Sequence, residues 1–223
     1  MRIDFLPINQ HTDDGGIPLP TGCEATALAA VLRFYGVNAN KNSLAAFLPR
    51  GEAGLTDPSY AFVGNPAQAD GSFGAYVPVL AGAAREFLRA RGLAEHFTVR
   101  GFSDLTQALP EAVPLSGGLY IKELAAIVGK GIPVAVWMTR ACAPPHPTEV
   151  WTLHRGGIFT APGTGFYTVR WIAPEHCAVL TGISGGWVSI ADPDGGVVRE
   201  FSIKEFEAGY CALGAQSLMI QRK

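Results

Sequence analysis

The feature that most constrains the fold is a change in sequence pattern near residue 130. Before that point, four segments carry apolar residues at helical spacing: ALAAVLRFYG, NKNSLAAFLPR, LAGAAREFLRARG and IKELAAIVGKG. After it come six short runs rich in β-branched and aromatic residues: IPVAVWMT, EVWTLHR, FYTVRWI, HCAVLTGI, GWVSI and SLMIQR. Such runs between turn residues are typical of antiparallel strands. The order predicts an α+β fold, with a helical half (about 1–130) packed on an antiparallel sheet (about 131–223).

Composition favours one globular domain over residues 1–223. Apolar residues make up 48% of the chain and charged residues only 16%, so the chain can bury a sizeable core. The formal net charge of −2, without any run of lysine or arginine, disfavours nucleic acid as a partner. No stretch approaches the roughly 18 uninterrupted apolar residues of a membrane-spanning helix, so we expect no membrane span.

The N-terminal segment and the cysteines bear on the compartment. The segment MRIDFLPINQHTDDGG lacks the apolar run of a secretion signal, so we expect a cytoplasmic protein. An extracytoplasmic location stays open if a segment was removed before residue 1. The four cysteines are too widely spaced to indicate a disulfide framework or a structural zinc site: they are Cys23, Cys142, Cys177 and Cys211. We therefore expect no metal and no cofactor.

Cys23 stands at the start of the clearest predicted helix. Thr21 suits the N-cap, Glu24 suits its partner in a capping box, and Gly36 ends the helical pattern. In the first turn of a helix, unpaired N–H groups and the helix dipole favour a thiolate, and reactive cysteines have pKa values of about 3.5 to 7.5. The sequence therefore predicts an activated thiol. A lipid attachment site, which the acidic segment before LPTGC disfavours, and a buried or metal-binding cysteine are the alternatives.

A predicted hairpin in the second half supplies a base and a carboxylate. In WIAPEHCAVLTGISGGWVSIADPDGG, His176 begins one strand, residues 184–186 form the turn, and Asp192 ends the return strand. A three-residue loop pairs residue 178 with Asp192, which places His176 and Asp192 on one face of the sheet. A thiol activated by an imidazole, itself oriented by a carboxylate, is the arrangement that nucleophilic catalysis requires.

Each of these residues also has a purely structural interpretation. A cysteine in an apolar helix is usually part of the core, and a histidine beside an apolar strand is usually a satisfied core residue. Asp192-Pro193 is typical of a plain turn. Cys177 alternates to the face opposite His176, so we expect core packing for it, and we expect the same for Cys211.

Three motifs, taken together, resemble a known family. PTGCEATALAAVLRFYG, EHCAVLTGI and SIADP are similar to motifs of papain-like cysteine peptidases, within the group that resembles bacteriocin-processing peptidases of the C39-like type. The resemblance covers nearly the whole chain. It implies that Cys23 is the nucleophile, His176 the general base and acid, and Asp192 the orienting residue. It also implies that Gln10 and the N–H of Cys23 bind the oxyanion, although the spacer between them, HTDDGGIPLPTG, is longer than usual.

The resemblance implies a bacterial cysteine peptidase with a peptide or protein substrate. Such an enzyme hydrolyses a peptide or isopeptide bond through a thioester on the cysteine. Two other functions stay open. One is an acyltransferase or transpeptidase on the same scaffold, because the catalytic residues do not encode the acceptor. The other is a non-catalytic module that holds a peptide in the same cleft.

Overall fold

The computed structural model describes residues 2–13, 16–105 and 115–223. These ranges contain five α-helices: α1 (Cys23–Phe34), α2 (Lys41–Ala45), α3 (Val77–Ala90), α4 (Ile121–Val128) and α5 (Ile203–Ala212). They also contain eleven strands: β1 (Arg50–Gly51), β2 (Phe62–Val63), β3 (Phe97–Phe102), β4 (Leu115–Ser116), β5 (Val134–Thr139), β6 (His146–His154), β7 (Phe166–Ala173), β8 (Glu175–Ser184), β9 (Trp187–Asp192), β10 (Val197–Ser202) and β11 (Ser217–Arg222).

Seven strands form one sheet in the order β10-β9-β8-β5-β11-β3-β4. Every neighbouring pair is antiparallel except β3 and β4, which are parallel. Helix α1 packs against β8 and β5, α3 against β3 and β11, and α5 against β5. The predicted α+β fold with a large antiparallel sheet is confirmed.

Helix α1 is buried through most of its length, since every residue from Cys23 to Leu32 is buried. This burial explains why apolar residues surround the helix instead of following one stripe. The predicted capping box is wrong. Gly22 is the N-cap without a side-chain cap, Thr21 Oγ1 donates to the carbonyl of Gln68 at 2.9 Å, and Glu24 accepts from the N–H of Ala75 at 2.6 Å. Contacts with the loop that precedes α3 replace the local cap.

Six elements lie outside the sequence prediction: the two-residue strands β1, β2 and β4, and the longer elements β3, β10 and α5. Strand β3 pairs with β11, which lies more than 100 residues further along the chain, so local pattern alone does not reveal it. Helix α5 does carry a local signal. Ser202 accepts a hydrogen bond from the N–H of Glu205, whose side chain in turn accepts from the N–H of Ser202, so the segment SIKE is a true capping box.

The β8–β9 hairpin has a shorter loop than predicted. Ser184 pairs with Trp187, and the two loop residues, Gly185 and Gly186, both have positive φ. Glycine tolerates this conformation without strain, and two-residue loops of this kind match the twist of the strands they join. The predicted three-residue loop is therefore wrong by one residue, a slip that alone would place His176 and Asp192 on opposite faces.

A β-bulge restores the register that the shorter loop would have shifted. The pairing moves by one residue at 180–182, and beyond this point Val179 pairs with Ala191. Residue 178 therefore stands opposite Asp192, as predicted, and His176 shares a face of the sheet with it. An extra residue in one strand has the same effect on register as an extra residue in the loop.

Strands β6 and β7 form a separate antiparallel pair. Their inner side chains include Trp151 and Trp171, which are buried and make edge contacts with Phe73, with ring centroids 5.1 and 5.5 Å away. This arm therefore covers the loop that leads into α3. None of the helices in the described ranges has the length and hydrophobicity needed to cross a membrane.

Candidate active site

The start of α1 meets the start of β8. The backbone N–H of Cys177 donates a hydrogen bond to Sγ of Cys23 at 3.4 Å. His176 immediately precedes that amide, so the predicted nucleophile and the predicted base lie on adjoining segments of backbone. Both residues are nearly enclosed, with 6% of Cys23 and 4% of His176 exposed.

His176 and Asp192 form a buried pair. Nε2 of His176 lies 2.6 Å from Oδ1 of Asp192, and about 95% of each side chain is shielded from solvent. The predicted contact is therefore present in the structure. Because Nε2 is engaged by the carboxylate, Nδ1 is the ring nitrogen that stays available for a proton from another group.

Asp192 is held by several donors besides His176. The N–H of Asp194 donates to Oδ1 at 2.8 Å, and Nε of Arg199 donates to Oδ2 at 2.9 Å. Burial acts to raise the pKa of Asp192, but the hydrogen bond and charge of His176, together with these donors, outweigh it and lower the pKa. Asp192 is therefore a stable carboxylate at neutral pH.

Cys23 is hydrogen-bonded to a carboxyl group instead of an imidazole. Its Sγ donates to Oε2 of Glu24 at 3.3 Å. No hydrogen bond joins Sγ to the ring of His176, although the structure describes both residues. The nucleophile candidate therefore lies beside the His176–Asp192 pair with its thiol directed to a third partner.

The surroundings raise the pKa of Cys23 well above its ordinary value. Burial is the main cause, the nearby Glu24, Glu175 and Cys177 add to it, and only the N–H of Cys177 acts in the opposite direction. The expectation of an activated thiol was therefore wrong for the arrangement seen here. Position in the first turn of a helix favours a thiolate, but desolvation and two carboxyl groups outweigh that effect.

Glu24 and Glu175 face each other beside the thiol. Burial raises the pKa of Glu24 to about 7. Burial, followed by repulsion from Glu24, raises the pKa of Glu175 well above its usual range. A Cβ atom at position 74 would lie 2.6 Å from Oε1 of Glu24 and 3.1 Å from Oε2 of Glu175, so Gly74 is what allows the loop to approach both carboxyls.

Gln10 lies on the segment that precedes α1. Its side-chain Nε2 donates to the backbone carbonyl of Pro20 at 2.8 Å, and its backbone carbonyl accepts from the N–H of Leu19 at 2.8 Å. The side chain is buried, and its Oε1 has no hydrogen-bond partner. The long spacer to Cys23 therefore closes on itself as a loop, so its extra length does not carry Gln10 away from the start of α1.

Lys41 anchors the loop that carries Gln10. The lysine is fully buried, and its Nζ donates to the carbonyls of Asn9 and Gln10 at 2.8 and 3.0 Å and to that of Thr12. The amide N–H of Gln10 also donates to the carbonyl of Pro193, next to Asp192, at 3.0 Å. Backbone contacts thus connect the Gln10 loop with the turn that follows Asp192.

One group of side chains in the described ranges has the donor types and spacing of a metal site. Cys23, Glu24 and Glu175 each offer a ligand atom, and these atoms lie within 4.8 Å of one another. A thiolate and carboxylates can bind Zn²⁺. The thiol in this group is also the predicted nucleophile, so a metal bound here would occupy the atom that attacks a substrate.

A model of a known protein family covers nearly the whole chain. The model of the Peptidase_C39 like family matches residues 2–218. The chain belongs to this family. Its papain-like α+β architecture is the fold that the resemblance of the sequence motifs implied.

Individual proteins and solved structures also resemble this Peptidase_C39 like protein. YvpB of Bacillus subtilis (strain 168), which is itself uncharacterized, is 28% identical over 209 residues, or 92% of this chain and 70% of YvpB. A candidate C39-like peptidase from Bacillus anthracis superposes with a TM-score of 0.74 at 22% identity, covering 100% of this chain and 98% of that one. The peptidase domain of Streptococcus ComA, a bifunctional ABC transporter involved in a quorum-sensing pathway, gives a TM-score of 0.50 at 14% identity, covering 98% and 99%.

Sequence reasoning missed several residues that shape the site of this family member. Glu175 immediately precedes His176, so an acidic residue beside the predicted base was a visible signal. Arg199 lies on β10, a strand that was not predicted, and Lys41 reaches its carbonyl partners only in the folded chain. Cys177 is in the core as expected, whereas Cys211, expected in the core, is exposed.

Proposed function

We propose that the protein is a cysteine peptidase that hydrolyses a peptide or isopeptide bond. The observation that carries the proposal is the buried His176–Asp192 pair, with Nε2 and Oδ1 2.6 Å apart, on the backbone segment whose next amide contacts Sγ of Cys23 at 3.4 Å. Membership of the Peptidase_C39 like family supports the same reaction class. The substrate is a peptide or a protein.

The first half of the reaction forms a thioester. The proton of Cys23 passes to Nδ1 of His176, and the sulfur attacks the carbonyl carbon of the scissile bond. Asp192 accepts a hydrogen bond from Nε2 and stabilises the imidazolium that forms. His176 then returns the proton to the leaving amine, and the carbon–nitrogen bond breaks.

The second half hydrolyses the thioester. His176 takes a proton from a water molecule, the water oxygen attacks the thioester carbon, and the cysteine leaves with the proton. The N–H of Cys23 is the first amide of α1, and the first amides of a helix have no carbonyl partner within the helix. We assign this N–H, with the carboxamide of Gln10, to the oxyanion of the tetrahedral intermediates.

The contact between Gln10 and Pro20 is compatible with that role. A carboxamide has two N–H groups, and one of them meets the carbonyl of Pro20. The second N–H can point toward the oxyanion without breaking this contact. The hydrogen bond to Pro20 therefore fixes the amide next to the start of α1.

A peptide library tests the proposal. We would incubate a proteome-derived peptide mixture with wild type, Cys23→Ser, His176→Ala and, as a matched control, Cys211→Ser at an exposed cysteine. New termini should arise in wild type and Cys211→Ser and be lost in the other two variants. Equal product sets in all four samples would contradict the assignment.

A non-catalytic peptide-binding module is the second candidate. The thiol of Cys23 faces Glu24 and makes no hydrogen bond to His176, an arrangement in which both residues serve as core groups. In that case peptides would bind to wild type and to Cys23→Ala with equal affinity and would dissociate without being cleaved. Affinity selection from the same library, read by mass spectrometry, separates the two functions.

A further inference from the structure

Glu24 accepts a hydrogen bond from the reacting thiol, and a carboxyl oxygen of Glu175 lies within 4.8 Å of both groups. Neither carboxyl group has a part in the reaction described above. We propose that Glu24 is a positioning residue that holds the thiol of Cys23 in a protonated resting state, with Glu175 as its neutral partner. The inference rests on the proposed function, because a resting state has meaning only for a nucleophile. The argument begins with the hydrogen bonds of each carboxyl oxygen.

The hydrogen bonds indicate which carboxyl carries the negative charge. Both oxygens of Glu24 face donors, since Oε1 accepts from the N–H of Ala75 at 2.6 Å and Oε2 accepts from Cys23 Sγ at 3.3 Å. Oε1 of Glu175 is buried without a partner. A buried carboxylate needs donors, whereas a protonated carboxyl costs far less to bury. One negative charge on Glu24 and a proton on Glu175 satisfy this requirement.

In the part of the chain that the structure describes, no lysine or arginine forms an ion pair with either carboxyl of the Glu24–Glu175 pair. Helix α1 contributes Glu24, and β8 contributes Glu175, His176 and Cys177. The loop before α3 contributes Tyr76, whose phenol lies within the electrostatic reach of Glu175 and Asp57. No salt bridge in the described part of the chain reaches Glu24 or Glu175. The negative charge of Glu24 is therefore offset by backbone N–H groups alone where it acts on the thiol.

The consequence is a nucleophile that is protected until the thiol turns away from Glu24. A carboxylate beside a thiol disfavours a second negative charge on sulfur, so the resting protein keeps the S–H bond. Activation moves Sγ toward Nδ1 of His176, and the S–H proton passes to that nitrogen while the electron pair stays on sulfur. Protonation of Glu24 below about pH 7 removes the negative charge beside the thiol, and this change also favours ionisation of Cys23.

The test is the rate of alkylation of Cys23 between pH 5 and 10, measured with and without EDTA. Iodoacetamide would be applied to wild type, Glu24→Gln and the control Glu52→Gln, and each modified cysteine would be mapped by peptide mass. In Glu24→Gln the amide oxygen can face Ala75 while the amide nitrogen donates to sulfur, which favours the thiolate. Exposed Cys211 in the same molecule serves as an internal reference.

We expect Cys23 of Glu24→Gln to react about tenfold faster than that of wild type at pH 7.5, which corresponds to a fall of about one unit in thiol pKa. Cys211 and the Glu52→Gln variant should not change. An unchanged or slower Cys23 in Glu24→Gln would overturn the proposal. So would wild-type protection of Cys23 that EDTA abolishes, because that result would assign the three groups to a metal.

A measurement on wild type covers the case in which Glu24→Gln does not fold. Carbon-13 NMR of the labelled Cys23 Cβ and Glu24 Cδ should show a thiol through pH 8 and a carboxyl that titrates near 7. A thiolate Cβ shift at pH 7 would overturn the proposal. The alkylation rates and the carbon-13 shifts report on Cys23 and Glu24 without any substrate. They therefore stay informative if no peptide is cleaved, which is the result that would contradict the proposed function.

Discussion

The two sides of Cys23 handle buried charge in opposite ways. On one side, Asp192 faces His176, Arg199 and a backbone amide, and its pKa is lowered. On the other side, Glu24 and Glu175 face each other and a thiol, and their pKa values are raised. The comparison shows that burial alone does not decide protonation. The donors decide it. They hold Asp192 as a carboxylate paired with Arg199, which defines the ion-pair side, and they leave the other side able to exchange a proton near neutral pH.

The largest expected effect separates the two sides by activity. His176→Ala removes the proposed base and should lower peptide cleavage by at least about 100-fold, because general-base catalysis contributes about 10²- to 10⁴-fold. Glu24→Gln should keep cleavage and shift the pH profile of the rate toward acid, since the thiol ionises more readily. Rates on one cleaved peptide between pH 5 and 9 measure both effects. Loss of cleavage in Glu24→Gln, with His176→Ala active, would reverse the two roles.

The next effect concerns stability as a function of pH. Glu24 has a pKa of about 7 in the folded protein and an ordinary value of 4.5, so the folded state binds more protons than the unfolded state between these values. The free energy of unfolding should therefore fall by about 3 kcal/mol as pH rises from 4.5 to 7. Glu175, with its raised pKa, acts in the same direction. Asp192, with its lowered pKa, stabilises the fold above pH 4 and loses that contribution in acid.

Urea denaturation across this pH range measures the effect. Glu24→Gln should lose the part of the pH dependence that Glu24 contributes, because an amide does not titrate, and keep the part that comes from Glu175. The exposed Glu52→Gln should keep the full dependence. Equal slopes in wild type and Glu24→Gln would show that Glu24 does not bind the extra proton.

A smaller effect is expected at the glycine that faces the carboxyl pair. Gly74→Ala places a Cβ 2.6 Å from Oε1 of Glu24 at a φ of +145°, whereas Gly71→Ala has a φ of +68° and meets nothing within 4 Å. Both variants carry backbone strain, but only the first also displaces the carboxyls. Gly74→Ala should cost about 2 kcal/mol more than Gly71→Ala, and thermal denaturation measures the difference. Equal destabilisation in the two variants would mean that the carboxyl groups move aside without a measurable loss of stability.

The smallest effect lies on the ion-pair side. The Arg199 side chain is 45% exposed, so its bond to Asp192 is partly screened by water. Arg199→Met should destabilise the protein by about 0.5 kcal/mol, because exposed ion pairs contribute little and His176 still pairs with Asp192. Urea denaturation at pH 7 gives this value. A loss of several kcal/mol would show that His176 alone does not hold the carboxylate.

The alternation of inward and outward residues along strands, together with the turn residues, predicted the His176–Asp192 side of the site. These patterns did not predict the side that holds Glu24 and Glu175. The His176–Asp192 contact follows from strand alternation, and it survived a wrong loop length because the bulge at 180–182 corrected the register. The protonation state of the Cys23 thiol depends on contacts in the folded protein that local sequence patterns do not predict. Glu24, predicted to cap the helix, instead accepts a hydrogen bond from the N–H of Ala75, more than fifty residues away in the chain.

The rest of the fold shows the same division. Strands flanked by turn residues and helices with apolar spacing were predictable, and the capping box before α5 could have been recognised. Strand β3 and the anchoring of the Gln10 loop by Lys41 depend on partners distant in sequence. Such contacts form only when the chain has folded, so a single sequence does not specify them by pattern.

The most direct test of the account is detection of the thioester on Cys23. A peptide that the protein cleaves would be mixed with wild type, quenched in acid within seconds, and the protein digested for mass spectrometry. The account predicts an acyl group on the peptide that contains Cys23, removable by hydroxylamine and missing in Cys23→Ser. Cleavage without this adduct in a burst-phase measurement, or an adduct on Cys211 instead, would contradict it.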